Sequence, residues 1–262
     1  MTMEIGIVLA GFAVGAVIGA TSTGSGVIMA PILLAFGVPP RLVVGSGLAY
    51  SLVTKIVGAI QHGRQGTVHP VWVGLLALGS LPGAILSTWM LRLMAHQWGL
   101  ATVDLFIKKA LGVVLVLSAT VLIGREFFSE KLRQTNVTRW HIDVTAHRWV
   151  IIAFGGIIGL IVGITSAGSG SLVALFLLAF SRLDGREIVG TNLVHSALVS
   201  LVAALGHSTM GNIDPHLVGL LLLGSLPGVV MGSFLTTVLP ARSLRVSTAA
   251  FVLLGGLRIV TQ

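Results

Sequence analysis

Lys55 lies about nine residues from the nearer end of an apolar run, a depth at which a cation is costly and faces a partner or a pathway. The acidic residues Asp104, Asp184, Glu187 and Asp214 all fall near the ends of apolar runs. A bound anion is therefore the expected partner of Lys55, with snorkelling to the interface as the plain alternative. On the same stretch stand Ser46, Tyr50 (the only tyrosine) and Ser51. Two further features suit anions. Thr21-Ser22-Thr23-Gly24-Ser25-Gly26 and Thr165-Ser166-Ala167-Gly168-Ser169-Gly170 each interrupt an apolar run. Such a break leaves backbone N–H and C=O groups unpaired, which survives at membrane depth only against protein or a wet cavity. The helix restarting at Gly26 or Gly170 presents free N–H groups and its positive dipole end, and Ser22, Ser25, Ser166 and Ser169 add hydroxyl donors. Ser22, Gly24, Ser25 and Gly26, with Ser166, Gly168, Ser169 and Gly170, are thus candidate oxyanion-binding residues. Small residues also allow close helix packing, but two breaks at matching places favour a site.

A second polar stretch carries Thr191, Asn192, His195, Ser196 and Ser200 at positions matching those around Lys55, so that Tyr50 pairs with His195 and Lys55 with Ser200. Ser46, Tyr50, Lys55, Asn192 and His195 complete the candidate substrate-binding set. His195 is the candidate for proton coupling; a histidine merely hydrogen-bonded in a polar helix face is the competing reading. No catalytic, metal or cofactor site is expected. Zero cysteines remove thiolate metal sites and cysteine nucleophiles, and His62 and His207 sit at loop entries without further ligands. Gly24-Ser25-Gly26 lacks the lysine and the strand of a phosphate-binding loop.

The elements that carry these residues are membrane helices. The chain has 262 residues, 55% hydrophobic and 9% charged, with mean hydropathy +1.00; soluble domains are near 25% charged. The formal charge of +8 does not indicate nucleic acid, because the basic residues are scattered through apolar runs. Apolar runs are expected at 5–20, 27–38, 41–61, 70–94 and 103–124, then at 150–164, 171–180, 188–206, 215–239 and 243–260. The pieces flanking Gly24 are short for a bilayer of about 30 Å. Residues 125–148 are the one long polar stretch, a loop or surface helix. Glu4 and the lack of a basic start argue against a cleaved leader, so the first run is expected to be mature structure.

The series repeats itself. Besides the two breaks, Val44-Gly45-Ser46-Gly47-Leu48 returns as Val189-Gly190-Thr191-Asn192-Leu193, and His62, Gly66 and Pro70 return as His207, Gly211 and Pro215. Gly79-Ser80-Leu81-Pro82-Gly83 returns unchanged as Gly224-Ser225-Leu226-Pro227-Gly228, expected to kink or hinge a packed helix. The spacing is about 145 residues throughout. If each break is the tip of a hairpin, each half crosses an odd net number of times and the halves are inverted. Arg41, Arg92, Lys108, Lys109 and Arg258 then lie on one side. Arg64, Arg125, Lys131, Arg133, Arg139, Arg148, Arg182, Arg186, Arg242 and Arg245 lie on the other. Only this arrangement satisfies the positive-inside rule. The expected fold is an all-α polytopic membrane protein of two inverted repeats, each a broken-helix hairpin plus three transmembrane helices. Residues 1–124 and 149–262 form the repeats, 125–148 is a cytoplasmic linker, and both termini lie outside an inner (cell) membrane.

The doubled Gly-Ser-Gly break, the Gly37-Val38-Pro39-Pro40 step into Val44-Gly45-Ser46, the His62–Gly66 loop and the Gly79–Gly83 motif together resemble the TauE/SafE family of sulfite and sulfonate exporters. The resemblance covers nearly the whole chain outside the linker. It implies a multi-pass secondary transporter that exports a small anion, sulfite or an organosulfonate, by alternating access around a midplane site. Two departures stand out. Many members have three glycines where this chain has Gly24-Ser25-Gly26, and Ser181-Arg182-Leu183-Asp184 replaces the Pro-Pro step in the second half. A passive anion channel, or a membrane enzyme or assembly factor of sulfur metabolism, are the alternatives. The expected partners are the anion and the lipid bilayer, with proton coupling a candidate through His195 and no nucleic acid.

Overall fold

In hydrocarbon every backbone polar group must be satisfied within its own segment, which for apolar runs of this kind means helix. The structure, a computed structural model, describes residues 2–21, 25–134, 144, 146–235 and 241–261. Its elements are α1 Thr2–Thr21, α2 Ser25–Ala35, α3 Pro40–Arg64, α4 Pro70–Gln134, α5 Arg148–Thr165, α6 Ser169–Phe180, α7 Gly185–Ser208, α8 Pro215–Leu235 and α9 Ala241–Thr261. α4 is two helical arms joined at Gly99, whose φ of 77° and ψ of 167° lie where only glycine goes without strain. Counting those arms separately, the helices follow the apolar runs in order. α4 continues beyond Gly124 to Gln134, so the first part of the expected linker is helical. The rest of that linker up to 143, and residues 236–240, lie outside the described residues.

Among the described residues five helices are long and apolar enough to cross a membrane: α3, α4, α5, α7 and α8. Leu9, Val57, Leu78, Ile85, Leu223 and Leu254 are exposed on outer faces, an arrangement suited to lipid rather than water. Each α3-type helix begins differently. Pro39 and Pro40 start α3, where proline's missing N–H costs nothing. Asp184 starts α7 with a capping box, its side chain accepting from the N–H groups of Arg186 and Glu187 while Glu187 accepts from the N–H of Asp184. This replacement explains how the second half does without the Pro-Pro step.

The two halves are interleaved rather than set side by side. α1 lies along α8, and α5 along the first arm of α4. Both contacts are glycine seams. A Cβ at Gly79 would meet the Ile152 carbonyl oxygen at 1.9 Å, and one at Gly83 the Gly156 oxygen at 2.4 Å. At the equivalent positions, Gly224 faces the Val8 oxygen at 2.1 Å and Gly228 the Phe12 oxygen at 2.2 Å. From the opposite helices Gly155, Gly159, Gly11 and Gly15 close on Leu76, Ser80, Leu221 and Ser225. With no hydrophobic drive between helices in lipid, such backbone approach supplies the van der Waals contact that holds them. The Gly79–Gly83 motif and its repeat therefore pack the halves together, while α4 and α8 run as helix through Pro82 and Pro227.

Equivalent helices that touch run antiparallel. The start of α3 meets the turn after α7, where a Cβ at Gly45 would clash with the Asn212 oxygen at 2.0 Å; the start of α7 meets the turn after α3, Gly190 against the Thr67 oxygen at 2.5 Å. The second arm of α4 meets α9 in the same way, Gly112 beside Val260 and Gly256 beside Leu115. The two turns are built alike. Gly66 and Gly211 take φ of 67° and 68°. His62 Nδ1 bonds Thr67 Oγ1 at 2.8 Å, and His207 Nδ1 bonds Asn212 Nδ2 at 3.2 Å.

Candidate substrate site at the helix breaks

The second break is fully described. Thr165 ends α5 and caps the turn, its hydroxyl donating to the Ile161 carbonyl at 2.7 Å and accepting from the Ala167 N–H at 3.3 Å. Ser166 is left-handed at φ 56°, and Gly168 at φ 95°, so the chain reverses within three residues and α6 begins at Ser169. No side chain caps α6, so its first N–H groups face the break. Of the first break, Ser22 and Gly24 lie outside the described residues, and for Ser25 only the backbone, at the start of α2, is described. Gly26 is placed: a Cβ there would sit 2.4 Å from the Ser166 carbonyl oxygen. The two tips therefore touch. Ser166 is also wedged against α3, its Oγ 3.3 Å from the Cβ position of Gly47.

Lys55 reaches this junction from α3. It is 8% exposed, and its ammonium donates to Ser169 Oγ at 3.2 Å and to Ser200 Oγ at 3.0 Å. Lys55 and Ser200 are equivalent positions of the sequence repeat, so the lysine meets its own counterpart. The acids whose side chains are described are engaged elsewhere: Glu4 lies 3.5 Å from His216, Asp104 pairs with Arg41, Asp184 and Glu187 cap α7, and Asp214 caps α8 through the N–H groups of His216 and Leu217. A buried ammonium held only by neutral hydroxyls is short of negative charge.

His195 and Tyr50 flank the junction. His195 is fully buried; its Nε2 is 2.9 Å from Ser80 Oγ, and its Nδ1 has no hydrogen-bond partner in the structure. Tyr50, equally buried, faces Ser225, the equivalent of Ser80, outside bonding geometry. Ser51 Oγ and Ser171 Oγ are also buried without a hydrogen-bond partner in the structure.

Two candidates hold neighbouring backbone. Ser46 Oγ accepts from the Asp214 N–H at 3.0 Å, as Thr191 Oγ1 does from the His69 N–H at 3.0 Å. Ser46 thus clamps the turn after α7, because the register of α3 points it away from the tips. Asn192 donates to the Gly170 carbonyl at 2.9 Å and accepts from Ser196 Oγ at 3.2 Å, so it braces α6. The residue types alone missed the partners. Ser200 is visible only as the counterpart of Lys55, and Ser80 and Ser225 are hidden in a motif whose glycines dominate its reading. His207 is fully buried, not a loop residue. Its Nε2–H donates to the Gly163 carbonyl at 2.8 Å, leaving Nδ1 to accept from Asn212.

Because the tips touch, Gly26→Ala is expected to push them apart, at an overpacking cost of about 1–3 kcal/mol. Substrate flux in liposomes should fall roughly fivefold or more on that arithmetic, while Gly63→Ala, with nothing within 4 Å, leaves it unchanged. Equal flux in the two variants would count against contact between the tips.

A helical chain of repeated, lipid-facing elements around a buried polar junction defines a multi-pass membrane transporter. The chain belongs to the TauE/SafE family: the family model described as "Sulfite exporter TauE/SafE" matches residues 7–259. It is similar to the "Probable membrane transporter protein YjnA" of Bacillus subtilis (strain 168), 37% identical over 261 residues, covering 98% of this chain and all of that relative. It is also similar to the "Probable membrane transporter protein YdhB" of the same organism, 26% identical over 240 residues, covering 89% of this chain and 91% of the relative. No solved structure matches it significantly.

Proposed function

We propose that the protein is a secondary transporter exporting a small oxyanion, sulfite or an organosulfonate, from the cytoplasm across the inner membrane. The observation that carries this is the Lys55 ammonium, buried among hydroxyls, beside an uncapped helix start and the meeting of two helix breaks. The anion sits where the Lys55 charge, the hydroxyls of Ser166 and Ser169, and the N–H groups opening α2 and α6 converge, with the Ser25 hydroxyl as a further proposed ligand. Tyr50 and His195 line its flanks, Gly168 and Gly170 let the backbone of the second break approach, and Ser22 and Gly24 are further proposed ligands. The family, described as sulfite exporters, suggests the sulfur oxyanion.

The halves, residues 1–124 and 149–262, lie inverted in the membrane, with 125–148 cytoplasmic and both termini outside. Antiparallel packing of equivalent helices and the basic-residue imbalance support this. Alternating access follows as the halves exchange conformations around Lys55. His195, unsaturated at Nδ1, is the group for proton coupling. Liposomes loaded with labelled sulfite or methanesulfonate test the reading: saturable efflux is expected, and absence of flux for either overturns it. Current far above carrier turnover would indicate a channel instead.

A further inference from the structure

We propose that the groove between the start of α3, the Gly99 bend of α4 and the end of α7 is an anion-collecting site at one mouth of the pathway. On the proposed topology this is the outer mouth, so it takes the same small oxyanion as that ion leaves Lys55 in export, or before it reaches Lys55 when flux starts outside, and so rests on the transporter reading. The groove encloses about 170 Å³ and is lined by Arg41, Arg92, Leu91, Val103, Thr209 and Asn212 among others. Its two guanidinium groups differ in freedom. Arg41 is held twice by Asp104, through its side chain and through its backbone N–H at 3.0 Å from Oδ1. Asp104 neutralises one charge and fixes that arginine against the wall. Arg92 is exposed, and among the described residues no carboxylate pairs with it, so the groove keeps a net positive charge.

Asn212 is 5% exposed and bonded to His207, which donates to the Gly163 carbonyl, two residues before Thr165 ends α5 at the second break. A cation at the mouth of a low-dielectric cleft raises the local anion concentration, by tenfold or more in favourable cases, and does so less as salt rises. The ion pair is also specific to this mouth. Ala249 stands at the position of Asp104 in the second half, although Arg186 matches Arg41. An arginine serving only to anchor a helix end in the interface would be indifferent to which side the anion comes from.

The test uses Arg92→Gln and Arg92→Lys in the full-length protein, in vesicles of both orientations. Arg92→Gln is expected to raise the half-saturating methanesulfonate concentration about threefold to tenfold for flux starting at the groove side. Flux from the other side, and the maximal rate, should stay within about twofold; Arg92→Lys restores affinity, and high ionic strength erases the difference. An unchanged value from both sides, or equal change from both, overturns the proposal. A second measurement separates it from the central site. In Lys55→Met protein, which lacks the central cation, weak methanesulfonate binding is expected to persist in calorimetry and to vanish on adding Arg92→Gln. Absence of binding to the Lys55→Met protein also overturns it. Groove binding without flux in the wild type would sink the transporter reading and leave the site standing.

Discussion

Lys55→Met abolishes anion flux and leaves the protein at least as stable as the wild type. Methionine matches the lysine stem in length, so the packing of α3 against α6 and α7 is retained. What is lost is the ammonium that donates to Ser169 and Ser200. A buried charge without an opposite charge is no asset to folding; replacing such groups by apolar ones is often neutral or stabilising. Transport responds in the other direction. Removing one partner of a desolvated ion pair costs about 2–5 kcal/mol, so flux falls at least about thirtyfold. Lys55→Arg does not restore it fully, since a planar fork cannot take the place of a compact point charge between two hydroxyls. Paired measurements of methanesulfonate efflux and of melting in detergent check this. A destabilised Lys55→Met protein, or one that still transports, would make Lys55 a packing residue.

Gly79→Leu and Gly224→Leu each prevent the two halves from assembling. Their Cβ atoms would lie 1.9 and 2.1 Å from the carbonyl oxygens of Ile152 and Val8. Backbone inside a helix cannot step aside as a side chain tip can, so the helices must separate, at a cost above the usual overpacking range of about 1–3 kcal/mol. Gly74→Leu and Gly219→Leu are the controls, equivalent to each other and on the same helices α4 and α8, with nothing within 4 Å. Size-exclusion profiles and melting curves of the four proteins should separate cleanly, the first pair aggregating and the second matching the wild type. Comparable folding of Gly79→Leu and Gly74→Leu would refute the seam.

Much of the proposed site was legible because it is duplicated. A single Gly/Ser break reads equally well as packing, whereas Thr165–Gly170 repeating Thr21–Gly26 points to a shared task. Lys55 stood out by depth and Tyr50 and His195 by correspondence. The roles of Ser46 and Asn192 were not legible. Both are polar residues in apolar helices, and whether such a hydroxyl or amide is free depends on which neighbouring backbone it meets. Ser46 meets the N–H of Asp214, and Asn192 the carbonyl of Gly170; those contacts span helices far apart in sequence.

Composition and periodicity by themselves determine the class of this protein, the order of its helices, the breaks and the duplication. These are properties of how each segment partitions into lipid and satisfies its own backbone. Only the tertiary structure decides that α1 pairs with α8 and α5 with α4, that the tips touch at Gly26 and Ser166, and that Lys55 meets its own counterpart Ser200. In lipid these choices follow from how closely particular backbones can approach. That depends on the fit of two surfaces together, which neither helix's sequence specifies alone.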